Sequence, residues 1–184
     1  MILEIVKYGN PVLREKGKLI QEPDEKLRKL AADMIDTMRE ANGVGLAAQQ
    51  VGVPLQICVV DVAGVEDRPS AMWIDEKEVD IDERMPLVLL NPKLTLSEEK
   101  GAGNEGCLSF PDMSAEIIRA EGVRCTARSL DGTDLEFEAA GLLARALQHE
   151  VDHLQGVLFI DRMSSAAKAG LAGKLKRLQK ETRG

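Results

Sequence analysis

Two histidines stand four residues apart in the segment His149-Glu150-Val151-Asp152-His153, and the chain has no other histidine. On an α-helix, positions i and i+4 lie about 40° apart around the axis, so both imidazoles can reach one metal ion. Glu150 lies about 100° from His149 and can reach a water at that ion without becoming a ligand. The alternative, two core histidines with satisfied hydrogen bonds, is disfavoured by the helical context. The segment therefore predicts a catalytic metal centre.

Two imidazoles do not complete such a centre, because a catalytic metal usually has three protein ligands and one open position. Downstream of the histidine pair the only acids are Asp161 and Glu181, and both are poorly placed. Cys58 lies in the apolar run ICVV and Cys125 in the predicted strand VRCTA, where a cysteine behaves as a small hydrophobic residue. Cys107 lies in a glycine-rich stretch that we expect to be irregular, and this position favours it as a thiolate ligand.

The segment 43–50, GVGLAAQQ, consists mostly of small residues and ends in two amides. One interpretation is a tight connection packed under a sheet. The other is a bare backbone edge that pairs with an extended peptide, with an amide side chain aimed into the site. The residues alone leave both open.

Apolar side chains recur at helical spacing in three segments. Residues 24–41 predict an amphipathic helix that Asn42-Gly43 would end. Residues 139–154 contain the histidine motif and predict a second helix, whose wide apolar face indicates a central, buried position. A third helix is predicted over about 165–181.

The predicted strands follow one another instead of alternating with helices, and they cover residues 55–62, 87–96 with an interruption at Asn91-Pro92, 116–128, and 134–138. The acidic segment 63–86 resembles a long exposed loop or flap with at most a little strand structure. This order predicts an α+β fold, with mixed or antiparallel sheets around the central histidine-bearing helix, an N-terminal helix and a C-terminal helix.

Length, charge and cysteine content exclude several classes of protein. The 184 residues fit one domain, and 44% hydrophobic with 30% charged residues is a globular balance. A net charge of −7 disfavours a general DNA or RNA binder. No apolar run is long enough for a membrane span, and the residues MILEIVKYGN do not have the pattern that predicts a secretory signal. Three widely spaced cysteines without a CxxC pair favour a reducing cytoplasm.

Three motifs stand together in this chain: GVGLAAQQVG at 43–52, EGCLSFP at 105–111 and QHEVDHLQG at 148–156. In this order and spacing the chain resembles peptide deformylase, the bacterial and organellar metallohydrolase that removes the formyl group from N-formylmethionyl chains. The resemblance extends from the opening YGNPVLRE to the basic last helix. An HExxH motif alone is shared with many metalloproteases, whereas a cysteine ligand in EGCLS is much more specific.

The resemblance implies a role for each matched residue. The metal ligands would be Cys107, His149 and His153. Glu150 would be the general acid and base, and Gln50 with the backbone N–H of Leu108 would stabilise the oxyanion. The substrate cleft would be lined by Val44, Gly45 and Glu105, and the pocket for the methionine side chain by Leu142, Arg145 and Ala146.

Ligand preference and the family resemblance favour different metals. Two nitrogens and one sulfur suggest Zn²⁺ on ligand preference. The resemblance instead implies Fe²⁺, with Zn²⁺, Ni²⁺ or Co²⁺ able to occupy the site. Two features depart from the family pattern, namely the long acidic segment 63–86 and Phe110, which stands where an aliphatic residue is often found.

The last 21 residues, 164–184, contain six basic residues and one acid. A solvated helix face is one interpretation. The other is a contact with ribosomal RNA, where the nascent N-formylmethionyl polypeptide emerges. Two rival functions also remain, an HExxH endopeptidase and a non-catalytic protein with a structural metal. The substitution Cys107→Ser would discriminate the first, and Glu150→Gln the second.

Overall fold

The computed structural model describes residues 1–184 as an α+β structure with two antiparallel sheets and four α-helices. The strands are β1 (Gly45–Ala47), β2 (Ile57–Val60), β3 (Ser70–Ile74), β4 (Lys77–Val79), β5 (Leu87–Leu96), β6 (Lys100–Cys107), β7 (Phe110–Ala120), β8 (Gly122–Arg128) and β9 (Asp134–Gly141). The α-helices are α1 (Glu25–Glu40), α2 (Ile81–Arg84), α3 (Leu142–Leu154) and α4 (Ser165–Arg183). Short 3-10 helices cover Pro11–Arg14, Ala48–Val51 and Phe159–Arg162.

The larger sheet has seven strands in the order β1-β2-β5-β8-β9-β3-β4, and β6 pairs only with β7 in a second sheet. Strand β1 therefore stands at an edge, with only β2 as a partner. Helix α3 contacts strands of both sheets, including β1, β2 and β9 of the larger sheet and β7 of the smaller. The predicted α+β class with antiparallel strands is confirmed.

Helix α1 begins where the sequence predicts it. The side chain of Asp24 accepts a hydrogen bond from the Leu27 N–H at 2.8 Å, which caps the first turn. The apolar side chains of the helix at i, i+3 and i+4 spacing pack into one core cluster with strands β1 and β2. Asn42 follows the helix with a φ of 56°, in the left-handed region that commonly terminates helices.

The segment 63–86 is more ordered than predicted. Strand β3 pairs with β4 on one side and with β9 on the other, so the segment extends the larger sheet. Asp75 and Glu76 connect β3 to β4 with φ values of 50° and 66°. Positive φ at both central residues is the geometry of a two-residue hairpin turn, but Asp-Glu is not its usual sequence. The sequence therefore gave no clear turn signal.

The prediction that the glycine-rich stretch around Cys107 is irregular is wrong, because residues 100–107 and 110–120 pair as β6 and β7. Its glycines lie within the strand, where one of them admits a neighbouring side chain: a Cβ at Gly103 would lie 2.8 Å from Cζ of Arg145. Two boundaries also change. Residues 139–141 end β9 instead of opening α3, and Glu121 separates β7 from β8 within the predicted strand 116–128.

Helix α4 confirms the predicted third helix. Ser164 caps it by accepting a hydrogen bond from the Ala167 N–H at 3.1 Å. Only Leu175 and Leu178 of this helix are buried, and both join a core cluster with residues of β7. None of the helices is both long enough and apolar enough to cross a membrane.

Candidate active site

Helix α3 and the end of strand β6 bring Cys107, His149 and His153 together. One possible ligand atom from each lies within 4.8 Å of the others. The Cys107 Sγ is 3.3 Å from His153 Nε2, and the two imidazole ring centres are 5.0 Å apart. Both histidines are buried and the cysteine is half-buried. The sequence placed Cys107 outside any strand, whereas it is the last residue of β6.

The chemistry of this cluster fits a divalent transition-metal ion. A thiolate and two imidazole nitrogens are donors that such ions accept, and three protein ligands leave a coordination position open. Burial lowers the pKa of His153 well below its usual value. Burial acts on the pKa of His149 in the same direction, but contacts with Cys107 and Glu105 raise it, so a bound cation would displace a proton there. His149 Nδ1 lies 2.9 Å from Glu105 Oε1, and this contact leaves Nε2 to face the cluster.

Glu150 lies beside the cluster and is almost fully buried. Its Oε1 has no hydrogen-bond partner in the protein, and burial raises the pKa of the carboxyl to about 7. Gly45 of strand β1 makes room for it, because a Cβ at that position would lie 2.5 Å from Glu150 Oε2. A carboxyl with a pKa near neutrality can both accept and donate a proton at physiological pH.

A buried ion-pair network supports the histidines from behind, and its centre is Glu105. The Arg119 guanidinium donates to both carboxylate oxygens of Glu105, at 2.6 and 2.9 Å, and Arg145 donates at 2.8 Å. Arg119 also donates to Asp152 at 3.0 Å. Burial would raise the pKa of Glu105, but hydrogen bonds from His149 and Arg119 lower it to about 2.

Sequence reasoning missed Arg119 and Asp152 as parts of this network. A signal was available for Arg119, because it stands two residues after Ile117 in β7 and strand side chains alternate between faces. Ile117 and Arg119 are both buried. A charged residue on the inward face of a strand requires a partner of opposite charge, and Glu105 is that partner.

Gln50 and Leu108 lie next to the cysteine. The Gln50 side-chain amide donates to Ser109 Oγ at 3.3 Å and to Cys107 Sγ at 3.5 Å, while its carbonyl accepts from the Ala47 N–H at 3.0 Å. The Leu108 carbonyl accepts from Lys7 Nζ at 3.3 Å. The Leu108 N–H donates no hydrogen bond to the backbone, and it is therefore available to a ligand.

A cleft of about 830 Å³ opens above these groups, between β1, α3 and the β6–β7 turn. Its walls include all six residues that the sequence assigned to substrate binding, namely Val44, Gly45, Glu105, Leu142, Arg145 and Ala146. Arg145 pairs with Glu105 and also donates to the carbonyls of Ile117 and Gly101, so its guanidinium is held by acceptors within the protein. Phe110 lies at the cleft with its ring packed inward between Tyr8 and Phe159.

Comparisons with known proteins give the class of this enzyme, a hydrolase, and its family. The sequence model of the polypeptide deformylase family matches residues 2–169. The peptide deformylase of Methylacidiphilum infernorum is 44% identical over 180 residues, which cover 98% of this chain and 94% of that protein. That of Opitutus terrae is 44% identical over 186 residues, covering 100% and 96%.

Solved structures agree with the sequence comparison. Peptide deformylase 1B of Arabidopsis thaliana is 37% identical, with a TM-score of 0.83 over 97% of this chain and 91% of that one. The peptide deformylase of Thermotoga maritima is 36% identical, with a TM-score of 0.76 over 89% and 99%. The chain belongs to the polypeptide deformylase family, whose enzymes remove N-formyl groups from nascent peptides.

Proposed function

We propose that this enzyme is a metal-dependent hydrolase that removes the formyl group from the N-terminal N-formylmethionine of newly made polypeptides and releases formate. The observation that carries the proposal is the Cys107, His149 and His153 cluster with the buried carboxyl of Glu150 beside it. We further propose α3 as the central helix of the site, since it supplies three of these four residues.

The three cluster residues would hold Fe²⁺, and Zn²⁺, Ni²⁺ or Co²⁺ could replace it. When bound, such a cation lowers the pKa of a water toward neutrality and polarises a carbonyl oxygen. A thiolate ligand also makes the site sensitive to oxidation, which favours work in the reducing cytoplasm. The free state of all three cysteines agrees with that compartment.

Glu150 would move the proton. It accepts a proton from the attacking water and then delivers it to the departing amine of the peptide. Its pKa of about 7 suits both steps, because general acid–base catalysis works best when the pKa is near the operating pH. Burial keeps the carboxyl in place beside the reacting carbon, with Gly45 as the close neighbour.

Gln50 and Leu108 would stabilise the oxyanion that develops on the formyl group. The Gln50 amide is held by Ala47 and Ser109, so its orientation costs little at the moment of reaction. The Leu108 N–H has no backbone acceptor. Lys7 donates to the carbonyl of the same residue and so fixes the next peptide group. Loss of one such donor typically lowers the rate by ~10²–10³-fold.

The cleft would hold the substrate as an extended chain. Strand β1 is an edge strand, and an extended peptide can add to such an edge through backbone hydrogen bonds. Leu142 and Ala146 give the apolar surface for the methionine side chain. Val44 and Gly45 give the edge, and the ion pair of Glu105 with Arg145 completes the wall.

The decisive experiment measures formate release from a short N-formylmethionyl peptide. The protein is prepared anaerobically with Fe²⁺ or aerobically with Ni²⁺, and its folding and metal content are verified first. The expected result is metal-dependent release of one formate per peptide cleaved, with no cut elsewhere in the chain. Folded, metal-loaded protein that releases no formate would overturn the proposal, and internal cleavage would indicate an endopeptidase.

The basic helix α4 would contact ribosomal RNA near the emerging nascent chain. All six basic residues of this helix are exposed: Lys168, Lys174, Lys176, Arg177, Lys180 and Arg183. The remainder of the chain has a net negative charge, so this helix is an element of net positive charge on an acidic protein. Clustered cations of this kind bind phosphate backbones by releasing counterions.

A further inference from the structure

Arg68 is an unpaired cation at the rim of the cleft. It lies in the connection between β2 and β3, its side chain is exposed, and it lines the cleft together with Val44 and Leu142. It forms no salt bridge, whereas the other arginine of the cleft, Arg145, is paired with Glu105. Arg68 is therefore the cleft cation whose charge is available to a substrate.

The backbone around Arg68 is fixed against the catalytic helix. The carbonyl of Pro69, the next residue, accepts a hydrogen bond from the Leu142 N–H at 3.1 Å. Ser70 Oγ accepts from the Leu143 N–H at 2.9 Å, and strand β3 continues from there beside β9. These contacts satisfy the N–H groups of the first two residues of α3, and the guanidinium of Arg68 is the unpaired cation at this corner.

We propose that Arg68 is a specificity-determining residue. It favours substrates with an acidic side chain at residue 2 or residue 3, counting the formylmethionine as residue 1. This inference rests on the proposed function and concerns the same site. The substrate is proposed to run along the β1 edge beside Val44. Its residues 2 and 3 would then lie beyond the methionine pocket, near the rim that carries Arg68. An Asp or Glu side chain there would meet the guanidinium.

The other charged groups of the cleft do not provide this selectivity. The guanidinium of Arg145 donates to Glu105 and to two backbone carbonyls, and Glu150 lies at the buried base. Asp112 is exposed on the wall formed by β7, and it repels an acidic side chain. The net charge of −7 is also repulsive, but salt screens it over about 8–10 Å. Selectivity for acid therefore requires a close cation.

The experiment compares kcat/KM for C-terminally amidated peptides that differ at one position: formyl-Met-Asp-Ser against formyl-Met-Lys-Ser, and formyl-Met-Ala-Asp against formyl-Met-Ala-Lys. The measured quantity is the Asp-to-Lys ratio, in which any general loss of activity cancels. Exposed ion pairs are weak, but charge reversal acts on both peptides: the Asp peptide is then repelled and the Lys peptide attracted. Arg68→Glu should therefore lower the Asp-to-Lys ratio at least about fivefold.

Two further variants separate a local contact from a general charge effect. Arg68→Lys retains the cation and should retain most of the preference. Lys77→Glu makes the same change of charge at the start of β4, in the same segment but outside the cleft lining, and should leave the ratio unchanged. High salt should bring the ratio of the wild-type enzyme toward that of Arg68→Glu.

An equal ratio in the wild type and Arg68→Glu at both positions would overturn the inference, and so would an equal fall in Lys77→Glu. Formyl-Met-Ala-Ser, which has no charged side chain, separates this failure from that of the proposed function. Deformylation of this peptide with an unchanged Asp-to-Lys ratio refutes only the role of Arg68. No deformylation of it refutes the proposed function, and the role of Arg68 with it.

Discussion

The charged side chains of the ion-pair network behind the histidines and those of α4 are arranged in opposite ways. In that network, Glu105, Arg119 and Asp152 are largely buried, and each is bonded to a partner within the protein. On α4 the six cations face solvent, and the helix is held to the rest of the molecule by two buried leucines. The buried network therefore fixes the positions of the side chains that it contacts. The cations of α4 act only through the electric field that they create in the solvent.

This difference determines what a substitution can reveal in each region. Removal of one buried partner leaves another charge desolvated and unpaired, so stability and chemistry change together. Removal of a charge on α4 leaves the fold almost unaffected, so a change in function would report on an external partner. The predictions below test the comparison from the largest expected effect to the smallest.

Glu150→Gln should lower kcat by ~10²–10⁴-fold, because the amide cannot accept the proton of the attacking water. Glu150 is not one of the three proposed ligands, so the metal content should equal that of the wild type. Cys107→Ser is the matched comparison and should lose or alter the metal. Kinetics with elemental analysis measures both. A Glu150→Gln enzyme with normal kcat would indicate that the metal is structural.

Arg119→Met should lower the free energy of unfolding by about 3–5 kcal/mol, since it leaves Glu105 with one guanidinium fewer and Asp152 without its buried partner. Urea denaturation of the metal-free protein measures this without a contribution from metal binding. Arg124→Met is the control, because Arg124 pairs with Glu138 on the exposed face of the sheet and its loss should cost at most ~1 kcal/mol. Equal losses in the two variants would show that the buried network adds nothing.

Reversal of three charges on α4, in Lys176→Glu, Arg177→Glu and Lys180→Glu together, should weaken binding to ribosomes about tenfold or more. Co-sedimentation at several salt concentrations measures the affinity and its salt dependence. Activity on a short formylated peptide should not change. Truncation of 164–184 is a poorer test, because it also removes the buried Leu175 and Leu178.

The control for this triple variant makes the same change of net charge elsewhere, at the exposed Lys16, Lys18 and Lys26. Those substitutions should leave ribosome binding close to that of the wild type. Equal weakening in both triple variants would mean that only total charge matters. No weakening in either would leave the basic helix as a solvated surface.

The same contrast explains how much the sequence predicted. The helical motif of His149 and His153 was readable because a helix is local, and its spacing alone places both imidazoles on one face. The pairing of β6 with β7 was missed because glycines obscure the alternation of a strand. The Glu105–Arg119 pair joins two strands across that pairing, and no local pattern places both residues together.

The smallest effect concerns the segment that joins the two regions. Asp161, between α3 and α4, accepts hydrogen bonds from the Arg14 guanidinium at 2.6 and 3.1 Å. Burial would raise the pKa of Asp161, but the hydrogen bond from Arg14 lowers it below its usual 3.8. The stabilisation is therefore complete above pH ~4 and is lost as the pH falls through the lowered pKa.

Asp161→Asn should cost under ~1 kcal/mol at pH 7, because the pair is partly exposed to solvent, and should flatten the fall in stability below pH 4. Thermal unfolding at pH 7 and pH 3 measures both, with Glu25→Gln in the exposed Arg28 pair as the control. A variant that still loses stability as steeply as the wild type would show that other carboxylates govern acid unfolding. The Arg14–Asp161 contact would then contribute as little as the exposed pairs on α1. This segment would belong with the exposed charges of α4 and not with the buried network.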